Sequence, residues 1–353
     1  MENFIFIAFY TLFLVFLTYF GIKYFPNENY QVLFVVPVKK YKNKKWYGIN
    51  ITYYGLISAV SYTFATFTFL VLAKSYHISS QIIIISVVLI LICCMPASKF
   101  MARIIEKKKN TFTISGAAFI GSIFSPFFFF ITSYFFLSDF DTAIQTSFIL
   151  LSALSVSYIL GEGVGRLACI SFGCCYGKKL DEYQGIFKNF FYNFNTTFKG
   201  ETKKASYEGG CENQKTIPVQ GLSSIIYNVT GLIGTILFLL GNIKTSFILS
   251  VAVANLWRFF SEYLRDDHRG DIKKYSFYQY FSLISILYSL LIALLFTPDQ
   301  GSIFFDIRKG LSELRSYWTL AFFLSIFVIS FAYTGLSKVT YSKIEINVLR
   351  KNT

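Results

Sequence analysis

Residues 219–264 read VQGLSSIIYNVTGLIGTILFLLGNIKTSFILSVAVANLWRFFSEYL. The first part, 219–241, carries no formal charge, and the second, 245–264, carries none until Arg258. Each is as long as the roughly 20 apolar residues a helix needs to cross a bilayer core. The break between them, Asn242-Ile243-Lys244, is too short for anything but a tight turn. The pair reads as a helical hairpin through a membrane. The same reading extends outward to spans at 4–22, 49–73, 81–98, 113–137, 144–163, 276–296 and 317–337, giving an all-α, polytopic membrane bundle of about nine transmembrane helices. The span at 81–98 is short and runs into Pro96, which predicts a tilt or a break there.

Composition agrees. Of 353 residues, 54% are hydrophobic and 15% charged, against roughly 25% charged in a soluble domain. The net charge of +14 does not argue for nucleic acid. The lysines flank apolar spans, where they meet anionic headgroups or hold a loop on one side. The N-terminus, Met-Glu-Asn, lacks a basic n-region, and no small-residue cleavage site follows the first apolar run, so residues 4–21 read as a retained span. Six cysteines do not form a disulfide framework.

The breaks are unequal. Segments 74–80, 138–143 and 242–244 are short, whereas 23–48, 99–112, 164–218 and 265–275 are polar and longer. The longest holds a segment, about 178–217, expected to form a small head over one face of the bundle. Only Lys74, Lys244, Arg308, Lys309 and Arg315 lie on the side opposite the long loops. The excess of Lys and Arg on the long-loop side places that side in the cytoplasm by the positive-inside rule.

Ionisable residues in or beside spans are expensive and mark function. Three blocks qualify. In Glu162…Gly165-Arg166-Leu167-Ala168-Cys169-Ile170-Ser171-Phe172-Gly173-Cys174-Cys175-Tyr176-Gly177-Lys178, an arginine at a span end stands in a glycine-rich stretch. It either presents its fork to a phosphate or snorkels. In Arg258-Phe259-Phe260-Ser261-Glu262-Tyr263-Leu264-Arg265, Arg258 and Glu262 are i,i+4 on one helix face, with Arg265 a further turn on. The pair is either glue between helices or a held guanidinium awaiting an anion. In Trp46 to Leu56, the aromatics suit an interfacial belt. Cys169, Cys174 and Cys175 lack the paired Cys-x-x-Cys spacing of a structural zinc site; the bland reading is small residues in a tight turn, the sharp one a reactive thiol or metal ligands. No metal and no cofactor is expected from the spacing.

Taken in order, these blocks resemble the bacterial prolipoprotein diacylglyceryl transferase family. Gly165-Arg166, Gly173 and Gly177 are similar to its glycine-arginine signature. Tyr54-Gly55-Leu56 resembles its aromatic-Tyr-Gly-Leu, and Ser115 to Gly121 falls where it has a His-Gly-Gly segment. Pro218-Val219-Gln220 resembles its His-Pro-x-Gln. Arg258 with Glu262 resembles its Arg-x-x-x-Glu, with Arg269-Gly270 beyond. The resemblance runs over 46–296. It leaves an extra span and basic loop at 1–45 and an extra span and basic tail at 297–353, around a core of seven.

The resemblance implies a membrane enzyme of lipoprotein biosynthesis. It would move a diacylglyceryl group from a phosphatidylglycerol-like phospholipid to the lipobox cysteine of a preprolipoprotein. It implies Arg166, Arg258 and Glu262 as catalytic residues, Glu262 orienting Arg258, and a substrate-binding set of Tyr54, Gly165, Gly177, Gln220, Cys169, Cys174 and Arg265. It also implies a multi-pass protein of the bacterial plasma membrane with an extracytoplasmic active face, which conflicts with the Lys and Arg distribution. Departures are specific. Ile120 stands at the family's histidine, Cys169 at its Asn, Cys174 at its Glu, Ile217 at its second histidine and Ala254 at a tyrosine. The arginines are kept while much of the proton-handling shell is not. Alternatives are a related lipid transferase with another acceptor, or a non-catalytic lipid-binding scaffold. A transporter is weaker, since the broken-helix repeats of many transporters are not visible.

Overall fold

A computed structural model describes residues 2–41, 45–105, 114–267, 275–296 and 305–349. In chain order the helices and strands are α1 (Glu2–Tyr24), β1 (Val32–Lys40), β2 (Lys45–Thr52), α2 (Tyr53–Ser75), α3 (Ser80–Ile105), α4 (Ile114–Leu137) and α5 (Phe140–Phe172). They continue with α6 (Gly185–Asn193), β3 (Thr196–Thr197), α7 (Lys204–Tyr207), β4 (Lys215–Thr216), α8 (Val219–Leu239), α9 (Ile243–Leu264) and α10 (Phe277–Leu295). The chain closes with α11 (Ile307–Ser312), α12 (Tyr317–Gly335) and β5 (Leu336–Glu345). Among the described residues, nine helices are long and apolar enough to cross a membrane: α1, α2, α3, α4, α5, α8, α9, α10 and α12. The protein is an all-α polytopic bundle, with a small sheet and a head on one face.

Helix α5 is the axis. It packs against α1, α2, α4, α8 and α9, and it is the most enclosed of the nine spans, as α12 is the least. It starts at Asp139, whose carboxylate accepts from the Thr142 amide at 2.8 Å and caps the helix. It ends at Gly173, which takes the left-handed conformation (φ +78°) that a side chain would strain. Its 33 residues make it about 50 Å long, well beyond a bilayer core of roughly 30 Å. The helix was expected only over 144–163; it runs nine residues further, so Arg166 and Cys169 sit on helix rather than loop. The glycines at 161, 163 and 165 do not break it because neighbouring helices fill the space they leave. Ser61 of α2 donates to the Gly161 carbonyl at 2.6 Å. A Cβ on Gly163 would stand 2.2 Å from Asn228 Oδ1 of α8. Close backbone approach of this kind is how helices associate where lipid removes the hydrophobic drive.

Two further expectations change. Helix α3 continues through Pro96 to Ile105 without a break. The segment 23–48 is not a loop. It holds β1 and leads into β2, an antiparallel pair, and β5 pairs antiparallel on the other side of β2 to give the order β1-β2-β5. Pro37 is accommodated on an edge strand at a register shift. Trp46 to Thr52 accordingly lie in β2, and α2 starts at Tyr53 with Thr52 as its cap, accepting from the Gly55 amide at 3.2 Å. Both β1 and β5 show alternation too weak to be read as strands, because their outer faces carry Val, Leu and Tyr among the lysines.

The head is built from α6, α7 and the short pair β3–β4. Phe198, Ala205 and Cys211 bury against Leu167, Ala168 and Ile170 of α5 and Phe25 after α1. Lys203, fully buried, donates to the carbonyls of Phe25 at 3.0 Å and Ser171 at 2.5 Å. It thereby satisfies orphan groups at the ends of two helices. The Gln31 amide donates to Thr202 O at 2.5 Å, which ties the head to the segment after α1. Lys42, Lys44, Lys107 to Lys109, His268 and Arg269-Gly270 lie outside the described residues.

Candidate active site

Tyr158, Glu162 and Arg166 recur every four residues along α5, so they share one face. That face meets α8 and α9. From α9, Arg258 reaches across. Its Nη2 donates to Tyr158 Oη at 2.7 Å and to Glu162 Oε2. From the next turn of α5, Arg166 Nη2 donates to Glu162 Oε1. One carboxylate thus holds two guanidiniums, one on each oxygen. All three side chains are largely buried, at 5% exposure for Glu162, 7% for Arg258 and 14% for Arg166.

Aromatic rings complete the walls. The Arg166 guanidinium lies over the Tyr227 ring of α8 at 5.9 Å, and that of Arg258 over Tyr158 at 6.0 Å. Tyr227 is fixed by donating to the Ala254 carbonyl at 3.2 Å, and Trp257 by donating to Ser223 Oγ at 2.7 Å. The Nε–H groups of Arg166 and Arg258 are buried without a protein partner. Such donors are costly to leave unmade. Two cations against one anion leave a formal charge of +1, which an anionic ligand would neutralise.

The sequence-derived candidates distribute around this centre. Arg166 and Arg258 converge on it. The i,i+4 spacing pointed to Glu262 as the partner of Arg258. The structure puts Glu162 of α5 in that place, and Glu262 accepts instead from Ser276 Oγ at 3.4 Å. Arg265 forms a two-pronged pair with Asp267 at 2.7 and 2.8 Å. Gly165 lies against Ser61 of α2, and Gly177 against Ile217 and Val219. Gln220, at the start of α8, donates to the Cys174 carbonyl at 2.8 Å, and its Oε1 is buried without a partner. Tyr54 packs edge-on against Phe172 at 5.7 Å. Ile120 is on α4, in a stretch that packs against α10 through the stacked pair Phe119–Phe281. Tyr158 and Tyr227 were not singled out by the sequence; the four-residue spacing of Tyr158, Glu162 and Arg166 was the signal available for the first.

Beyond Phe172 the chain turns back on itself. Gly173 and Cys174 both donate to the Cys169 carbonyl, at 2.8 and 3.1 Å. Cys175 takes a positive φ of 58°. The turn is clamped between two strands of extended chain. Lys178 N–H donates to Leu264 O at 3.0 Å, Asp266 N–H to Tyr176 O at 3.1 Å, and Ile217 N–H to Lys178 O at 3.0 Å. The result joins the ends of α5 and α9 to the start of α8. It also gathers the sulfurs of Cys169, Cys174 and Cys175 within 4.8 Å of one another, a closeness that the Cys-x4-Cys-Cys spacing does not reveal.

No match is found among curated proteins or among solved structures. A family model does match: residues 45–295 fit that of the prolipoprotein diacylglyceryl transferases. With most of its 353 residues inside that match, and with paired arginines buried in a helical membrane bundle, the chain belongs to the prolipoprotein diacylglyceryl transferase family.

Proposed function

We propose that this chain transfers a diacylglyceryl group from an anionic phospholipid of the phosphatidylglycerol kind to a cysteine thiol of a lipoprotein precursor. The observation that carries the reading is the pair of buried guanidiniums sharing one carboxylate. A phospholipid brings one negative phosphate, which matches the surplus charge, and phosphate oxygens suit planar guanidinium donors. In the reaction the thiolate sulfur bonds to a glyceryl carbon, and the carbon–oxygen bond to the phosphate breaks. The bonding pair leaves on the phosphate oxygen. Arg166 and Arg258, already oriented by Glu162, would stabilise the charge that grows there without reorganising. Glu162 takes the orienting role that the family resemblance implies for Glu262. Tyr54, Gln220 and Arg265 support the reading more remotely, by shaping the end of α5 where the acceptor would arrive.

The test is complementation of a strain depleted of its own transferase, with Arg166→Ala and Arg258→Ala as controls. Growth restored by the wild type and by neither variant is the expected outcome. A well-expressed wild-type chain that neither restores growth nor consumes phospholipid in vitro would sink the reading. A second reading, a lipid-binding scaffold, is favoured by Ile120, Ile217 and Ala254 standing where the family resemblance calls for titratable side chains. Phospholipid binding without turnover, measured with a cysteine peptide and with membrane extract, would select it. We place the protein in the bacterial plasma membrane with the head and the sheet outside, the side on which an exported precursor would arrive.

A further inference from the structure

The family resemblance gives Cys169 and Cys174 a place beside the substrate but gives the three clustered thiols no chemical step, and the reaction as it stands has no base. We propose that Cys169, Cys174 and Cys175 hold a zinc-class divalent ion with one position open to a thiol, and that this ion generates the attacking thiolate. The proposal rests on the transferase reading and deepens it.

None of the three is joined in a disulfide among the described residues, and their sulfurs lie within 4.8 Å of one another. Ligands 2.3 Å from a tetrahedral zinc stand about 3.8 Å apart, so side-chain rotation of about 1 Å closes the set. The set is also built rather than incidental. Cys169 belongs to the last turn of α5, and the amides of Gly173 and Cys174 both return to its carbonyl. Gln220 pins the Cys174 carbonyl from α8. Cys175 holds the left-handed conformation, which costs a non-glycine residue on the order of 1 kcal/mol or more. A thiol sits at that position where glycine would be easier.

Thiolates are soft ligands and select zinc and similar ions over magnesium or calcium. Among the described residues, the group of possible ligands has three members, all cysteine. Three protein ligands with a vacant fourth position is the pattern of a catalytic zinc, whereas a structural site is closed by four. Cys169 is buried while Cys174 and Cys175 are partly exposed, and a fourth ligand would approach from the side of the latter two. Three thiolates around a divalent ion carry a net charge of −1. Arg166 is close enough to Cys169 and Cys175 for their charges to interact, as is Arg265 to Cys175.

Cys169 follows Arg166 by three residues on α5, so the fourth position would lie beside the guanidinium that receives the phosphate. A thiol that binds there loses its proton to solvent. The sulfur then bonds to the glyceryl carbon, the carbon–oxygen bond breaks with its pair on the phosphate, and the thioether product leaves the ion. This supplies what Ile120, Ile217 and Ala254 cannot.

The experiment uses the full chain, reduced, stripped of metal and held in lipid nanodiscs, with cobalt(II) as the probe. One equivalent should bind with thiolate-to-cobalt absorption in the near ultraviolet and the intense visible bands of tetrahedral cobalt, and zinc should displace it. Cys169→Ser, Cys174→Ser and Cys175→Ser should each weaken binding more than about 100-fold, the upper end of what losing an outer-shell partner costs; Cys211→Ser should not. A cysteine peptide should shift the visible bands, and the matching serine peptide should leave them unchanged. Absence of the thiolate signature, its survival in variants shown by size exclusion to remain folded, or a spectrum indifferent to the cysteine peptide would each overturn the proposal. The spectra do not depend on turnover. A chain that binds cobalt as described and never transfers lipid refutes the transferase reading alone, and one that transfers lipid with all three cysteines replaced refutes the metal alone.

Discussion

At the residue scale, Glu162 is the position on which most depends. It is the carboxylate between two buried guanidiniums, and removing one partner of a buried pair leaves charge uncompensated. Glu162→Gln is expected to lower stability by about 3–5 kcal/mol, read as a drop in the thermal midpoint in detergent, and to abolish turnover. An unchanged midpoint would show that the pairs contribute nothing. Arg258→Lys keeps the charge and loses the planar fork, so it should keep the fold and cost about 10²–10³ in rate. The arginines themselves were legible from their place at span ends. Their partner was not, because spacing along α9 offers Glu262, and the choice of Glu162 is made only when α5 and α9 pack. Lys203 was not legible as anything but a loop lysine. Burial lowers its pKa from the ordinary 10.5 to about 7. Below pH 7 both the folded and the unfolded chain hold the proton, and the cost of burying the charge is present in full. Between about 7 and 10.5 only the unfolded chain holds it, so stability rises with pH through that window. The wild-type thermal midpoint should climb from pH 7 to pH 10 relative to Lys203→Met. A parallel course for the two would show that the ammonium is not disfavoured in the fold.

At the scale of elements, the spans were legible because about 20 apolar residues in a row have one explanation, whereas the ends of elements depend on contacts. Helix α5 was read nine residues short, because three glycines and an arginine look like the start of a loop until Ala65, Ser61 and Asn228 are seen to occupy the glycine surface. Gly163 gives the sharpest test. A methyl group there meets Asn228 Oδ1, itself without a partner, while Asn228 Nδ2 donates to Thr18 of α1 at 3.0 Å. Gly163→Ala should cost about 1–3 kcal/mol as overpacking, and adding Asn228→Ala should return part of it. Additive losses in the double variant would mean that the two positions do not share the space between α5 and α8.

At the scale of the whole molecule, the head, the sheet, the C-terminal end of α5 and the start of α8 occupy one end of the bundle, and α11 with the Lys74–Glu313 pair occupies the other. The charge excess of the first end argues for the cytoplasm; the proposed acceptor, an exported precursor, would argue for the outside. Glu201 is exposed on the head, whereas Cys211 is buried and Cys174 and Cys175 are partly exposed, so the Glu201→Cys variant reports the side as labelling in excess of the wild type. A membrane-impermeant maleimide should label it in intact cells. Protection until the cells are opened would place the head inside and move the acceptor there with it.

The sheet also sets an order on synthesis. Strand β2 is the centre of three, and its second neighbour, β5, begins at Leu336. At about 5–20 residues per second, β2 emerges tens of seconds before the strand that covers its other edge. Through the insertion of every intervening helix, the nascent chain carries a row of backbone donors and acceptors with nothing beside them, the kind of edge on which chains aggregate. A message truncated anywhere before that last strand would leave the edge open for the life of the product.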